Sequence, residues 1–229
     1  MIVAIIPARK GSTRIKNKNI KLFNEKPIIY WPILQLKKSK IFDKIIVSTD
    51  SKKIQSIVKK LGVSSPFIRP AKLATNYSST SSVIKHSLDW LKKENLKPKY
   101  VCCVYPTSVF FNSIDIKKSF KKFKKSKINF LFSASKFKSS IFRSFYFSKK
   151  SKLNMLFPKY YNTRTQDLKE TFHDAAQFYW GTEKAWNKEL RIYDKKSKLY
   201  FLEDWKINDI DNKHDWKIAE KLFKLNNHI

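Results

Sequence analysis

Short runs of apolar, β-branched residues alternate along the chain with longer stretches whose apolar positions recur at helical spacing. Residues 2 to 6 (IVAII) carry no polar side chain, as in a parallel strand covered on both faces, and Pro7 ends the run. The stretch 27 to 39 (PIIYWPILQLKKS) has helical spacing with Pro27 suited to a first turn, and 44 to 50 (KIIVSTD) is a second buried strand with a polar tip. These three pieces form a βαβ unit. A helix at about 51 to 61 is closed by Gly62, with a short strand expected near Val63. Hydroxyl residues offer N-caps for an amphipathic helix over 79 to 95, which leads into a strand at 100 to 105 (YVCCVY). A further helix over 113 to 126 and a strand over 129 to 135 continue the alternation.

From 136 to 165 the pattern changes to Phe, Tyr, Ser and Lys with weak alternation, which predicts short antiparallel strands outside the main sheet: an insertion that serves as a flap or a dimer contact. The sheet resumes at 175 to 181 (AAQFYWG) and 199 to 203 (LYFLE), before a last helix over 214 to 225. The predicted architecture is α/β, a three-layer, doubly wound, mostly parallel sheet in one domain over 1 to 229, with a small irregular β insertion.

Composition changes this picture little but narrows the partners. The 229 residues are 42% hydrophobic and 15% aromatic, enough material for one core. A formal charge of +31 points towards polyanions. Yet 43 of the 49 basic residues are Lys, scattered in pairs such as Lys52-Lys53 and Lys121-Lys122, and only six are Arg, the residue favoured for base readout and bidentate phosphate clamping. No nucleic-acid partner is expected. Cys102 and Cys103 are adjacent within an apolar run, which predicts core thiols in a reducing compartment. No stretch approaches the apolar length of a membrane span, so a cytoplasmic protein without membrane association is expected.

Candidate chemistry gathers in two places. Only Gly11, Gly62 and Gly181 occur, and each is expected to hold a backbone position that a side chain would spoil. Gly11 lies in ARKGSTR after the first strand, where a doubly wound sheet binds its ligands, and neither GxxxxGK[ST] nor GxGxxG is present. Arg9, Ser12, Lys18 and Asn19 supply charged and hydroxyl donors for phosphate oxygens there; a solvated basic loop is the alternative. Near the other end stand Asp209 and Asp211, in a chain with 11 Asp and seven Glu. Two apart on an extended segment, their carboxylates point to one side and reach one hard cation such as Mg2+; a structural turn is the alternative. Asp215 is placed in the first turn of the last helix. His173 beside Asp174 reads equally as a strand-end hydrogen-bonded pair, and Trp180 and Trp186 as packing residues.

The stretches IIPARKGSTRIKNKNI, FDKIIVSTD, FIRPAKLA, the Thr-Ser run at 79 to 82, YPTS at 105 to 108 and DIDNKHDW at 209 to 216 occur in this order over nearly the whole chain. In that order they resemble the acylneuraminate cytidylyltransferase family, whose fold is nucleotide-diphospho-sugar transferase-like. NTRTQDL (162 to 168) and HDAAQFYWG (173 to 181) are most similar to its pseudaminic acid cytidylyltransferase branch. The resemblance implies transfer of CMP from CTP to the anomeric hydroxyl of a nine-carbon acidic sugar, with release of pyrophosphate, in a pathway of cell-surface glycan biosynthesis. Pseudaminic acid is the first candidate and neuraminic (sialic) or legionaminic acid the alternative. An eight-carbon keto acid acceptor is the nearest rival, and a basic nucleic-acid-binding protein on a retired transferase fold is the reading of a different class.

By matching positions, the resemblance implies that Arg9, Gly11, Ser12, Lys18 and Asn19 contact CTP, that Arg69 and Thr80 frame the nucleotide, and that Asp209 and Asp211 hold magnesium. Arg9, Lys18 and Asp211 are the implied catalytic residues. Tyr105, Thr107, Arg164, Gln166, His173, Asp174 and Gln177 are implied for the sugar pocket, with an Arg suited to the sugar carboxylate. A homodimer is implied, with 136 to 165 as a candidate contact. The chain departs from the family loop ARGGSKRIPRKN at Lys10, Thr13 and Lys16, and has Ala176 where a Gly is expected.

Overall fold

In the computed structural model, which describes residues 1 to 226, the first apolar run forms β1 (Ile2–Pro7). Its side chains alternate between two cores, Ala4 and Ile6 facing one and Val3 and Ile5 the other, so a strand buried on both faces needs no polar position. A two-residue hairpin follows, β2 (Leu22–Phe23) and β3 (Lys26–Pro27), whose turn residues Asn24 and Glu25 both take positive φ, 45° and 63°. That hairpin corrects one expectation: Pro27 pairs with Leu22 in a strand, and the helix α1 (Tyr30–Ser39) starts three residues later.

The chain continues through β4 (Lys44–Ser48), α2 (Lys52–Lys60), α3 (Thr80–Lys93), β5 (Tyr100–Val104), α4 (Ser113–Lys125) and β6 (Phe130–Lys136). After the separate hairpin of β7 (Phe145–Phe147) and β8 (Leu153–Met155) come β9 (Phe172–Thr182), α5 (Glu183–Asn187), β10 (Ser197–Phe201) and α6 (Lys213–Asn226). Side-chain caps start several helices: Ser51 on α2, Ser79 on α3, and a reciprocal capping box of Asn112 with Asp115 on α4. The expected strand near Val63 is reduced to a single bridge between Ile46 and Ser64.

The six-stranded sheet has the order β10-β6-β9-β5-β1-β4. Only β9 runs antiparallel to its neighbours, pairing with both β5 and β6, while the remaining pairings are parallel. Residues of α1, α2 and α4 cover one face and those of α3 and α5 the other, giving the three-layer α/β fold. A third cluster seats α6 through Trp216, Ala219 and Phe223 on Phe23, Ile28 and Phe110. Trp180 and Trp186 are buried, donating to Ser119 Oγ and the Val101 carbonyl. Cys102 and Cys103 are buried free thiols. Among the described residues no helix is long and apolar enough to cross a membrane.

Two of the three glycines meet the expectation placed on them. Gly62 has φ +67°, and a Cβ on Gly181 would lie 2.7 and 2.8 Å from ring carbons of Phe130. Gly11 does not: a Cβ there would meet nothing within 4 Å. The left-handed position in its loop falls instead on Asn17, with φ 55°.

The parallel strands β4, β1 and β5 lie side by side and end at Ser48, Pro7 and Val104. The loops that leave these carboxyl ends carry most of the chemistry singled out in the sequence.

Candidate active site

A cleft of about 330 Å³ opens at those strand ends. Arg9, Ser12, Lys18 and Asn19 enter it from the loop after β1, Arg69 from the segment between α2 and α3, Thr80 from the start of α3, and Tyr105 and Thr107 from the loop after β5. Asp209 closes it from the far end of the chain. The loop after β1 is folded by its own side chains: Asn19 is buried and its amide donates to the Arg9 carbonyl at 2.9 Å, while Lys18 to Ile20 form a 3-10 turn. Lys10 N–H donates to Asp50 at 2.7 Å, anchoring the loop to the end of β4.

Arg69 is 3% exposed, a charge in the protein interior. Its guanidinium donates to the Ser48 carbonyl at 2.6 Å and to Leu73 O at 3.3 Å, and its Nε has no partner among the described residues. Burial lowers its pKa to about 10, with Asp50 opposing and Arg9 adding to the shift. It remains a cation at neutral pH. Two guanidiniums and the Lys18 ammonium on the walls of one cleft constitute a field that an anionic ligand relieves.

The acidic segment packs against the basic loop. Lys18 Nζ donates to the Ile210 carbonyl at 2.6 Å and stands 3.6 Å from Asp211, and Arg14 forms a 2.8 Å ion pair with the same carboxylate. Asp209 is exposed by surface area, yet the chain atoms around its carboxyl raise its pKa, and Asp211 raises it further. Asp215 lies in the first turn of α6, where its carboxylate accepts from Asp211 N and Asn212 N, both at 2.9 Å. Among the described residues no group of three or more His, Cys, Asp or Glu is assembled for a metal. Two carboxylates beside a phosphate-sized basic cleft fit a hard divalent cation that completes its shell with phosphate oxygens and water, as Mg2+ does.

A second cavity, of about 440 Å³, adjoins the first and shares Thr80 and Tyr105 with it. These two hydroxyls are 2.8 Å apart, and burial pushes the Tyr105 phenol up to about 12. Tyr179, Arg191 and Tyr193 line this cavity. Asp174 accepts from the hydroxyls of Tyr179 and Tyr193, the latter at 2.8 Å, and both phenols are raised, first by burial, so they stay protonated as donors.

Other residues singled out in the sequence stand apart. Gly11 lines neither cavity. Arg164 is exposed and paired with Asp167 at 2.9 Å, and Gln166 is exposed in the same 3-10 turn. His173 places Nδ1 3.0 Å from the Asp174 carbonyl and packs on Phe137. Gln177 is 2% exposed, with its backbone held by Ser133 and Ser108 and its Oε1 unpartnered. Ala176 lines the first cleft at φ 50°, a left-handed conformation that accounts for the glycine expected there. Sequence reading passed over Thr75, Asn76 and Ser78, which line the first cleft, and Tyr179, Arg191 and Tyr193 in the second. Asn76 and Ser78 belong to the polar loop NYSST, whose composition signals a turn and little else; Tyr179 sits in an apolar strand and reads as core.

The cytidylyltransferase family model matches residues 3–218. Pseudaminic acid cytidylyltransferase of Campylobacter jejuni is 36% identical over 224 residues, 98% of this chain and 97% of its own. CMP-N,N'-diacetyllegionaminic acid synthase of Legionella pneumophila is 32% identical over 98% of this chain and 97% of its own. A solved CMP:2-keto-3-deoxy-manno-octonic acid synthetase in complex with CTP superposes with a TM-score of 0.74 at 10% identity, covering 98% of this chain and 99% of that one, a likeness of fold. With the family model spanning almost all of the sequence and a relative aligned nearly end to end, the chain belongs to the cytidylyltransferase family.

Proposed function

We propose that the protein transfers CMP from CTP to the anomeric hydroxyl of a nine-carbon acidic sugar, pseudaminic acid in the first place. The observation that carries this reading is the meeting, in one cleft, of Arg9, Lys18 and Arg69 from the first third of the chain with Asp209 from its end. The 36% identity to pseudaminic acid cytidylyltransferase over nearly the full chain supports the choice of acceptor.

In this reading the acceptor hydroxyl oxygen attacks the α-phosphorus as its proton passes to solvent, the bond from the α-phosphorus to the α,β-bridging oxygen breaks, and pyrophosphate leaves with the electron pair. Phosphoryl transfer asks a protein mainly for positioning and for charge where charge develops. Arg9, Lys18 and Arg69 supply that charge; the buried Arg69 does so without reorganising, because Ser48 and Leu73 fix its guanidinium. Ser12 supplies a hydroxyl donor, and Asn19 keeps the loop in shape through the Arg9 carbonyl. Asp209 and Asp211 hold a magnesium ion, which when bound supplies Lewis-acid polarisation of the α-phosphate. The second cavity receives the sugar: the paired Thr80 and Tyr105 mark its boundary with the nucleotide, and Asp174 fixes Tyr179 and Tyr193 as hydroxyl donors. Arg191, which lines this cavity, rather than Arg164, which is paired with Asp167, meets the sugar carboxylate.

The protein acts as a homodimer through the insertion at 136 to 165, where the hairpin of β7 and β8 presents Phe145, Phe147 at 73% exposure and Leu153 to solvent. Light scattering gives a dimer mass, and Phe147→Lys gives a monomer.

The activity is tested by pyrophosphate release. Purified protein releases pyrophosphate from CTP only when the acidic sugar and a divalent metal are both present, and Asp211→Ala abolishes release. Absence of turnover with pseudaminic, neuraminic and legionaminic acids alike would overturn the reading.

A further inference from the structure

Both oxygens of the Asp211 carboxylate are engaged by the chain's own cations. Oδ2 accepts from Arg14 Nη1 at 2.8 Å, and Oδ1 faces Lys18 Nζ at 3.6 Å. The two cations differ in how they are held. Lys18 is a half-buried fixture, tied to the Ile210 carbonyl at 2.6 Å and lining the cleft. The Arg14 side chain is 65% exposed, projects from an irregular loop, and makes no hydrogen bond among the described residues except the one to Asp211. A divalent ion shared by Asp209 and Asp211 cannot sit against Oδ2 while the guanidinium occupies it, since two cations that close together repel each other strongly.

We infer that Arg14 is an exchangeable counter-ion: it holds Asp211 until the divalent cation arrives, then leaves the carboxylate and clamps the phosphate chain of CTP. The geometry suits both positions. Arg14 is two residues from Ser12 and four from Lys18, both of which line the cleft, so a guanidinium released from Asp211 stays tethered within a few residues of that cleft. A planar guanidinium takes two oxygens of a carboxylate or of a phosphate with the same pair of donors.

Exchange couples the two ligands. The metal alone must evict Arg14 and binds weakly; with CTP present, the evicted guanidinium gains phosphate contacts, and the metal binds well. By linkage the metal improves CTP binding by the same factor. The inference rests on the reading of Asp209 and Asp211 as the cation's ligands.

The test measures Mn2+ binding by electron paramagnetic resonance, with and without CTP, for the wild type, Arg14→Gln, Arg14→Lys and Asp209→Asn. Arg14→Gln is expected to bind Mn2+ in the absence of CTP at least about fivefold more tightly than wild type, the low end of ordinary coupling, and to lose most of the CTP-dependent gain. Arg14→Lys keeps part of that gain. Unchanged or weaker Mn2+ binding by Arg14→Gln without CTP, with Asp209→Asn having lost Mn2+, overturns the exchange and leaves the metal site standing. Undiminished Mn2+ binding by Asp209→Asn overturns the metal site, and the exchange with it.

Discussion

The Lys18 ammonium donates to the Ile210 carbonyl at 2.6 Å, across 192 residues of sequence, and so holds the basic loop after β1 and the acidic segment before α6 as one unit. Removing the ammonium therefore removes both a positive charge that lines the cleft and the tie between the two segments. Lys18→Met is expected to lower kcat by about 10²- to 10³-fold, the usual cost of losing one charge-stabilising donor. Steady-state kinetics on a variant whose unfolding midpoint is unchanged checks this; a loss confined to the KM for CTP would assign Lys18 to binding alone.

The segment that carries Asp209 hangs from a buried ion pair. Lys206, its side chain 4% exposed, donates to Asp115 at 3.0 Å, and Asp115 also closes the capping box of α4 through Asn112 N at 2.9 Å. Lys206→Met leaves a buried carboxylate without its cation and is expected to destabilise the fold by about 3 to 5 kcal/mol. Urea unfolding measures this, and Lys206→Met combined with Asp115→Asn should cost less than the two single changes summed.

His86 gives the stability a pH dependence. Burial lowers its pKa first; Asp89 opposes, and Arg69, Lys93 and Lys72 push the same way as burial. The native state thus holds fewer protons here than the unfolded chain, whose imidazole titrates near about 6.5. Stability is retained above that pH and lost as pH falls through it. His86→Gln is expected to show a smaller drop in unfolding midpoint between pH 8 and pH 5.5 than wild type; an identical drop in both proteins would locate the acid sensitivity elsewhere.

Arg191 and Arg164 compete for one role, and kinetics separates them. Arg191→Gln is expected to raise the KM for the acidic sugar about tenfold or more, as loss of a charged hydrogen bond does, and Arg164→Gln to leave it within about twofold. The KM for CTP should not move in either variant. The reverse pattern would return the carboxylate contact to the loop at 162 to 168.

The central strands were legible because they are buried on both faces. IVAII, YVCCVY and AAQFYWG are largely apolar runs bounded by polar ends, and they became β1, β5 and most of β9. The direction of β9 was not legible, since an antiparallel strand between two parallel blocks must be apolar on both faces just as a parallel one is. Pro27 misled for a local reason: helix starts favour Pro, but the left-handed Asn24 and Glu25 had already fixed a hairpin there. Within the cleft, the charged loop residues were readable because they follow a strand end; Tyr179 and Tyr193 were not, because their hydroxyls acquire meaning only through Asp174, which the fold brings to both.

A competition assay separates CMP transfer to a nine-carbon acidic sugar from transfer to its rivals. The protein is given CTP, Mg2+ and an equimolar mixture of pseudaminic, legionaminic and neuraminic acids and an eight-carbon keto acid sugar, and the products are read by mass spectrometry. CMP-pseudaminic acid is expected to form first, with one pyrophosphate released per CMP-sugar. Sole formation of the eight-carbon CMP-sugar, or of no CMP-sugar at all, would contradict it.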